Sequence, residues 1–119
     1  MTFLAEFARD PMTVGAVAPS SAALARVVTA VVPRSGSPTV VELGPGTGAF
    51  TVAIQHRLAG RGRHIAVEVN ERFAARLAAA NPAVDVVHAD ATILAAVLAQ
   101  RGLDHADVVV SGLRRCLRS

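Results

Sequence analysis

The sequence has no tyrosine, no tryptophan and no lysine, and only four phenylalanines among its 119 residues. Aromatic platforms on which bases could stack are therefore scarce, which argues against binding single-stranded nucleic acid by stacking. A lone cysteine, Cys116, excludes an intrachain disulfide and suits a reducing cytoplasm. A basic leader is missing too: Glu6 and Asp10 fall among the first apolar residues, so no signal peptide is expected. The longest uncharged stretch, residues 11–25, is too short for a bilayer span and contains Pro19 and two serines. These absences point to a cytoplasmic protein, soluble or peripheral to a membrane.

What is present is small and aliphatic. Hydrophobic residues make up 52% of the chain, so the core must be Ala, Val and Leu filling a layered sheet. The net charge of +3 is carried entirely by scattered arginines, with a late group at Arg114, Arg115 and Arg118. Mild positive charge favours anionic lipid or RNA, although ordinary solvated helix faces give the same pattern.

Phe3, Leu4 and Phe7 stand at helical spacing in a short amphipathic segment that Pro11 and Gly15 interrupt. Ser20 or Ser21 can cap a second helix through Leu24 and Val28 to about Val32, where Pro33 ends it. From Thr39 the pattern becomes strand–loop–helix, repeated. Expected strands cover 40–43, 64–69, 84–88 and 107–110, and expected helices 49–59, 71–80 and 91–100. Asn70 and Asp90 are placed to cap the second and third of these helices. Strands alternating with helices predict βαβ crossovers in a mostly parallel α/β sheet of about four strands. Residues 1–38 form an N-terminal helical segment in this scheme, and 39–119 the cofactor-binding domain.

The chemistry concentrates in VELGPGTGAF, residues 41–50. Gly44, Gly46 and Gly48 join the first strand to its helix, where missing side chains let a ligand approach the backbone and the helix N-terminus. Gly44, Gly46 and Ala49 also fit a dinucleotide fingerprint. Glu42 separates the two readings. A pyrophosphate would be repelled by a carboxylate two residues before the first glycine, whereas S-adenosylmethionine carries an ammonium, a sulfonium and no phosphate. Glu68 ends the second strand, where a carboxylate can accept from both ribose hydroxyls; Asp90 follows the third, where one can accept from an adenine amino group. Alternatively, Glu68 is an exposed strand-end charge and Asp90 an N-cap alone. His64, His88 and His105 are candidate bases by residue type only.

These motifs resemble those of class I S-adenosylmethionine-dependent methyltransferases: VELGPGTG the first, AVEVN the second, HAD the third. DPMTVGAVAPSSAALA near the start and VVVSGL near the end are similar to bacterial phosphatidylethanolamine N-methyltransferases and the related ribosomal RNA adenine methyltransferase-like group. The resemblance implies S-adenosyl-L-methionine as cofactor, held by Glu42, Gly44, Gly46, Gly48, Glu68, Val69, Asp90, Ala91 and Ser111, with no metal and no assignable catalytic residue. It also implies an α/β Rossmann-like fold with the strand order 3-2-1-4 and helices on both faces, that residues 14–21 lie by the cofactor, that the N-terminal helix can touch membrane, and that the methyl acceptor is a phospholipid head-group amine.

RNA adenine methylation is the nearest alternative, but the Asn-Leu/Ile-Pro-Tyr type motif of such enzymes is replaced by Ser111-Gly112-Leu113. A dinucleotide oxidoreductase ranks lower, and a non-catalytic cofactor-binding remnant remains a further alternative. The family's pattern continues past the fourth strand where this chain reads Arg114-Arg115-Cys116-Leu117-Arg118-Ser119. A truncated fold whose tail is a frame-shifted reading is expected from that departure, with wet apolar area and self-association through an exposed fourth strand.

Overall fold

The computed structural model describes residues 21–112. The expectations for residues 1–20 and for the tail from Leu113 lie outside the described residues. Helix α1 (Ser21–Thr29) leads into strand β1 (Thr39–Leu43), helix α2 (Ala49–Leu58), strand β2 (Arg63–Glu68), helix α3 (Glu71–Ala80), strand β3 (Asp85–His88), a 3₁₀ turn (Ala91–Ile93), helix α4 (Leu94–Ala99) and strand β4 (Val108–Ser111). All strand pairs are parallel and the order is β3-β2-β1-β4. The crevice of such a sheet lies at the carboxyl ends of its strands, above β1 where the order reverses.

Alternation along β1 divides the core into layers. Val40 faces α1 and α2, where Val28, Val32, Ile54, Leu58, Val108 and Val110 close around it. Val41 and Leu43 face α4, packing with Ile65, Val67, Val97, Leu98 and Val109. Ala66, Leu77 and Val84 join β2 to α3. β4 pairs with β1 alone among the described strands, yet Val108, Val109, Val110 and Ser111 are all buried. Helix α1 covers one side of β4 and α4 the other, so exposed apolar area lies not on β4 but on helix faces, at Val27 and Val52, 65% and 61% exposed.

Three arginines do more than solvate helix faces. Arg57 donates to the carbonyls of Val32 and Ala30, and Arg61 to those of Pro33 and Gly36, so the end of α2 satisfies acceptors that α1 and its following turn leave open. Arg101 grips Asp85 through two donors, at 2.5 and 3.1 Å, joining the end of the α4 segment to the head of β3. That hydrogen bond holds the Asp85 carboxyl below its ordinary range. A lowered folded value means the pair stabilises the fold above the usual carboxylate range and is lost as pH falls through the lowered value. Its side chains are 21% and 44% exposed, so Arg101→Ala should cost under about 1 kcal/mol in urea melts at neutral pH, with the difference vanishing in acid.

The expected third helix, 91–100, begins instead as a 3₁₀ turn. Asp90 Oδ1 accepts from Thr92 N at 2.8 Å, two residues on, and Ile93 N bonds the Asp90 carbonyl, three residues back; this tighter winding delays the α-helix to Leu94. Asn70 caps α3 as expected, its side chain accepting from Phe73 N at 3.0 Å.

Candidate functional site

The turn after β1 is built on three left-handed glycines, Gly44 at φ 65°, Gly46 at 60° and Gly48 at 95°. Gly44 N bonds Val67 O and Gly112 N bonds Leu43 O, so β1 is tied to β2 and to the end of β4 up to the edge of the crevice. A Cβ built on Gly46 meets nothing within 4 Å, whereas one on Gly48 falls 2.9 Å from the Leu77 side chain. Gly48 serves packing against α3, while Gly46 leaves open space above the turn. α2 starts at this turn with no side-chain cap, leaving its first-turn N–H groups without the usual local acceptor.

Glu68 is 4% exposed and holds the turn in place. Its Oε1 accepts from Gly46 N at 2.9 Å and its Oε2 from Asn70 N at 2.8 Å, so one carboxylate bridges the glycine turn and the head of α3. The reading of Glu68 as an exposed strand-end charge is therefore set aside.

Glu42 lies deeper than the crevice rim on which the sequence pattern puts it. It is fully buried: its neighbours Val41 and Leu43 face α4, so it must face α2. There Oε1 accepts from Thr51 Oγ1 at 2.7 Å and meets His64 Nε2 at 3.0 Å, while Oε2 has no hydrogen-bond partner among the described residues. The cluster sits beneath the glycine turn, because a Cβ on Gly48 would lie 4.0 Å from Thr51 Oγ1.

Asp90 is exposed beyond β3, and the backbone N–H of Thr92 holds its carboxyl below the ordinary range, keeping it ionised. Val69 and Ile93 follow β2 and β3 as exposed apolar side chains, at 60% and 46%. Ile93 was not singled out by the sequence pattern; its apolar type at a strand-to-helix turn was the available signal. Ala91 is half-buried and Ser111 buried at the tip of β4, across from Leu43. Glu42, Glu68 and the glycines thus come together around one turn, with Val69, Asp90, Ala91 and Ser111 at the same end of the sheet.

The histidines separate. His64 is buried against Glu42, His88 Nε2 meets the Val69 carbonyl at 3.1 Å, and His105 is exposed between Asp104 and Asp107, whose hydrogen bonds and charge raise its pKa. A cleft of about 180 Å³ flanks the turn on the α3 side, lined by Gly46, Thr47, Phe73 and Leu77 among others. A larger one of about 270 Å³ opens at the amino ends of the strands, away from the glycines. Among the described residues there is no cluster of metal-ligating side chains, and no helix is long and apolar enough to cross a membrane.

The strand order, the glycine turn after β1 and the acid ending β2 define a partial Rossmann-like fold of the class I methyltransferases. Residues 20–99 match the ribosomal RNA adenine dimethylase family, and the chain belongs to that family. It is also similar to an ornithine lipid N-methyltransferase of Singulisphaera acidiphila, at 40% identity across 93% of this chain; the chain spans 59% of that relative's length.

Proposed function

We propose that this chain binds S-adenosylmethionine over the 44–48 turn and serves methyl transfer to the amine of a lipid head group. The observation carrying the cofactor assignment is the turn itself, three left-handed glycines fastened by Glu68 with open space at Gly46. Two further features fit this cofactor. The amino-acid end of S-adenosylmethionine carries one charge of each sign, and the site offers a complement for each: the uncapped start of α2 for the carboxylate, the unpartnered Glu42 Oε2 for the ammonium. Each Glu68 oxygen spends one lone pair on the backbone and keeps another for a ribose hydroxyl. Val69 and Ile93 supply apolar surface for adenine, and Asp90 an acceptor for its amino group. When bound, the cofactor supplies a methyl group already activated on a sulfonium, so the protein's task is to position the amine and exclude water.

The lipid acceptor is supported by the 40% identity to a protein named for N-methylation of a lipid. RNA adenine is the second reading, favoured by the name of the matching family. Incubation with radiolabelled S-adenosylmethionine and either vesicles containing an amino lipid or ribosomal RNA separates them. Label in the lipid fraction alone supports the proposal, and label in RNA alone replaces it. A membrane surface is the expected meeting place with a lipid substrate, and flotation with such vesicles checks it.

Gly46→Ala isolates the cofactor site from the fold. The new methyl points into open space, so folding should lose only the left-handed strain of about 1–2 kcal/mol. Affinity for S-adenosylhomocysteine in calorimetric titration should fall at least about tenfold, because the methyl occupies the space assigned to the ligand. Unchanged affinity would remove the cofactor from this turn.

A further inference from the structure

A chain of hydrogen bonds, Thr51–Glu42–His64–Gln55, buried except for half-buried Gln55, fixes the carboxylate beneath the glycine turn. Gln55 Nε2 lies 2.9 Å from His64 Nδ1, and an amide nitrogen only donates, so Nδ1 accepts. The imidazole is then neutral and its Nε2–H donates to Glu42 Oε1 at 3.0 Å. Thr51 donates to the same oxygen. Both donors are uncharged and both hold Oε1, while the fully buried Oε2 has nothing. The charged groups around His64 are Glu42 and, along the cleft it shares, Arg61, Arg63 and Asp85, of which Asp85 is held by Arg101. No cation reaches Oε2 among the described residues. A desolvated carboxylate held by neutral donors at one oxygen favours a positively charged donor at the other.

We infer that His64 is a positioning residue for cofactor recognition: held by Gln55, it pins Glu42 Oε1 together with Thr51 and so turns Oε2 toward the ammonium of the bound amino-acid moiety. The inference rests on the cofactor reading given above. It makes the start of β2, at the opposite end of that strand from Glu68, a determinant of which part of the ligand is recognised.

The test compares two nucleosides, using the full chain. S-adenosylhomocysteine and 5′-methylthioadenosine share adenine, ribose and thioether sulfur, and only the former carries the amino acid. His64→Leu should lower S-adenosylhomocysteine affinity about tenfold while changing 5′-methylthioadenosine affinity less than about twofold. His64→Gln, which keeps an N–H at similar reach, should restore most of the loss. Gln55→Leu removes the donor that holds Nδ1 and frees the ring to turn away from Glu42; it should reproduce the selective loss, and carries the test alone if His64→Leu does not melt cooperatively. Equal losses for both ligands, or no loss for either, overturn the role of His64 and leave the cofactor site standing. Failure of the wild-type chain to bind either nucleoside overturns the cofactor reading and this inference with it.

Discussion

Replacing Glu68 by alanine is expected to weaken S-adenosylhomocysteine binding by about one to two orders of magnitude, measured by calorimetry, and to lower the melting temperature as well. Two losses combine. The backbone N–H groups of Gly46 and Asn70 lose a nearly buried charged acceptor, at a cost of about 1–3 kcal/mol each. The ribose hydroxyls lose theirs at the same time. Glu68→Gln separates the parts: one oxygen remains for one N–H, but an amide NH₂ now opposes the other. An intermediate melting temperature with most of the affinity gone is the expected pattern. If alanine melts lower and binds normally, the carboxylate is a fastener of the turn and nothing more.

Gly62→Ala is expected to have the largest effect on folding. Gly62 precedes β2 at φ 66°, and a Cβ there would lie 2.1 Å from the Pro38 carbonyl oxygen and 2.8 Å from the Pro38 nitrogen. Those are backbone atoms, and the same oxygen accepts from Arg63 N at 2.9 Å, so it cannot step aside without releasing the start of the β1–β2 pairing. A loss above about 4 kcal/mol is expected, enough to unfold a domain of this size at room temperature. Gly60→Ala is the control. It has φ 85° but nothing within 4 Å, so only the conformational strain of about 1–2 kcal/mol should appear in a urea titration. Similar midpoints for the two variants would mean that the approach of the 60–63 turn to Pro38 does not constrain the fold.

Much of this architecture was legible before any coordinates. The four strands and the helices between them follow from short β-branched runs, glycine turns and Asn81-Pro82, because those signals are local, whereas the strand order came with the family resemblance. The end of α2 shifted slightly: Ala59 itself takes the left-handed conformation, at φ 50°, before Gly60. What local pattern could not give was depth. The sequence pattern puts Glu42 at the crevice rim, but the layer it faces depends on which helices cover each side of the sheet. Its partner His64 is 22 residues away and meets it through register, Val40 opposite His64 and Glu42 opposite Ala66. A histidine opening an apolar strand looks the same whether it tips into solvent or is paired within the core. Asp90 reads both as a cap and as a ligand acceptor; its bonds to the Thr92 N–H and hydroxyl account for the first role, and the carboxylate is exposed.

Because a single Glu68 side chain clasps both Gly46 and Asn70, the glycine turn cannot lift while the head of α3 stays seated. On the proposed cofactor placement, release of a nucleoside would then require the first turn of α3 to fray, and its residence time would depend on Asn70 and its bond to Phe73 N. Weakening that cap should quicken departure more than it slows arrival.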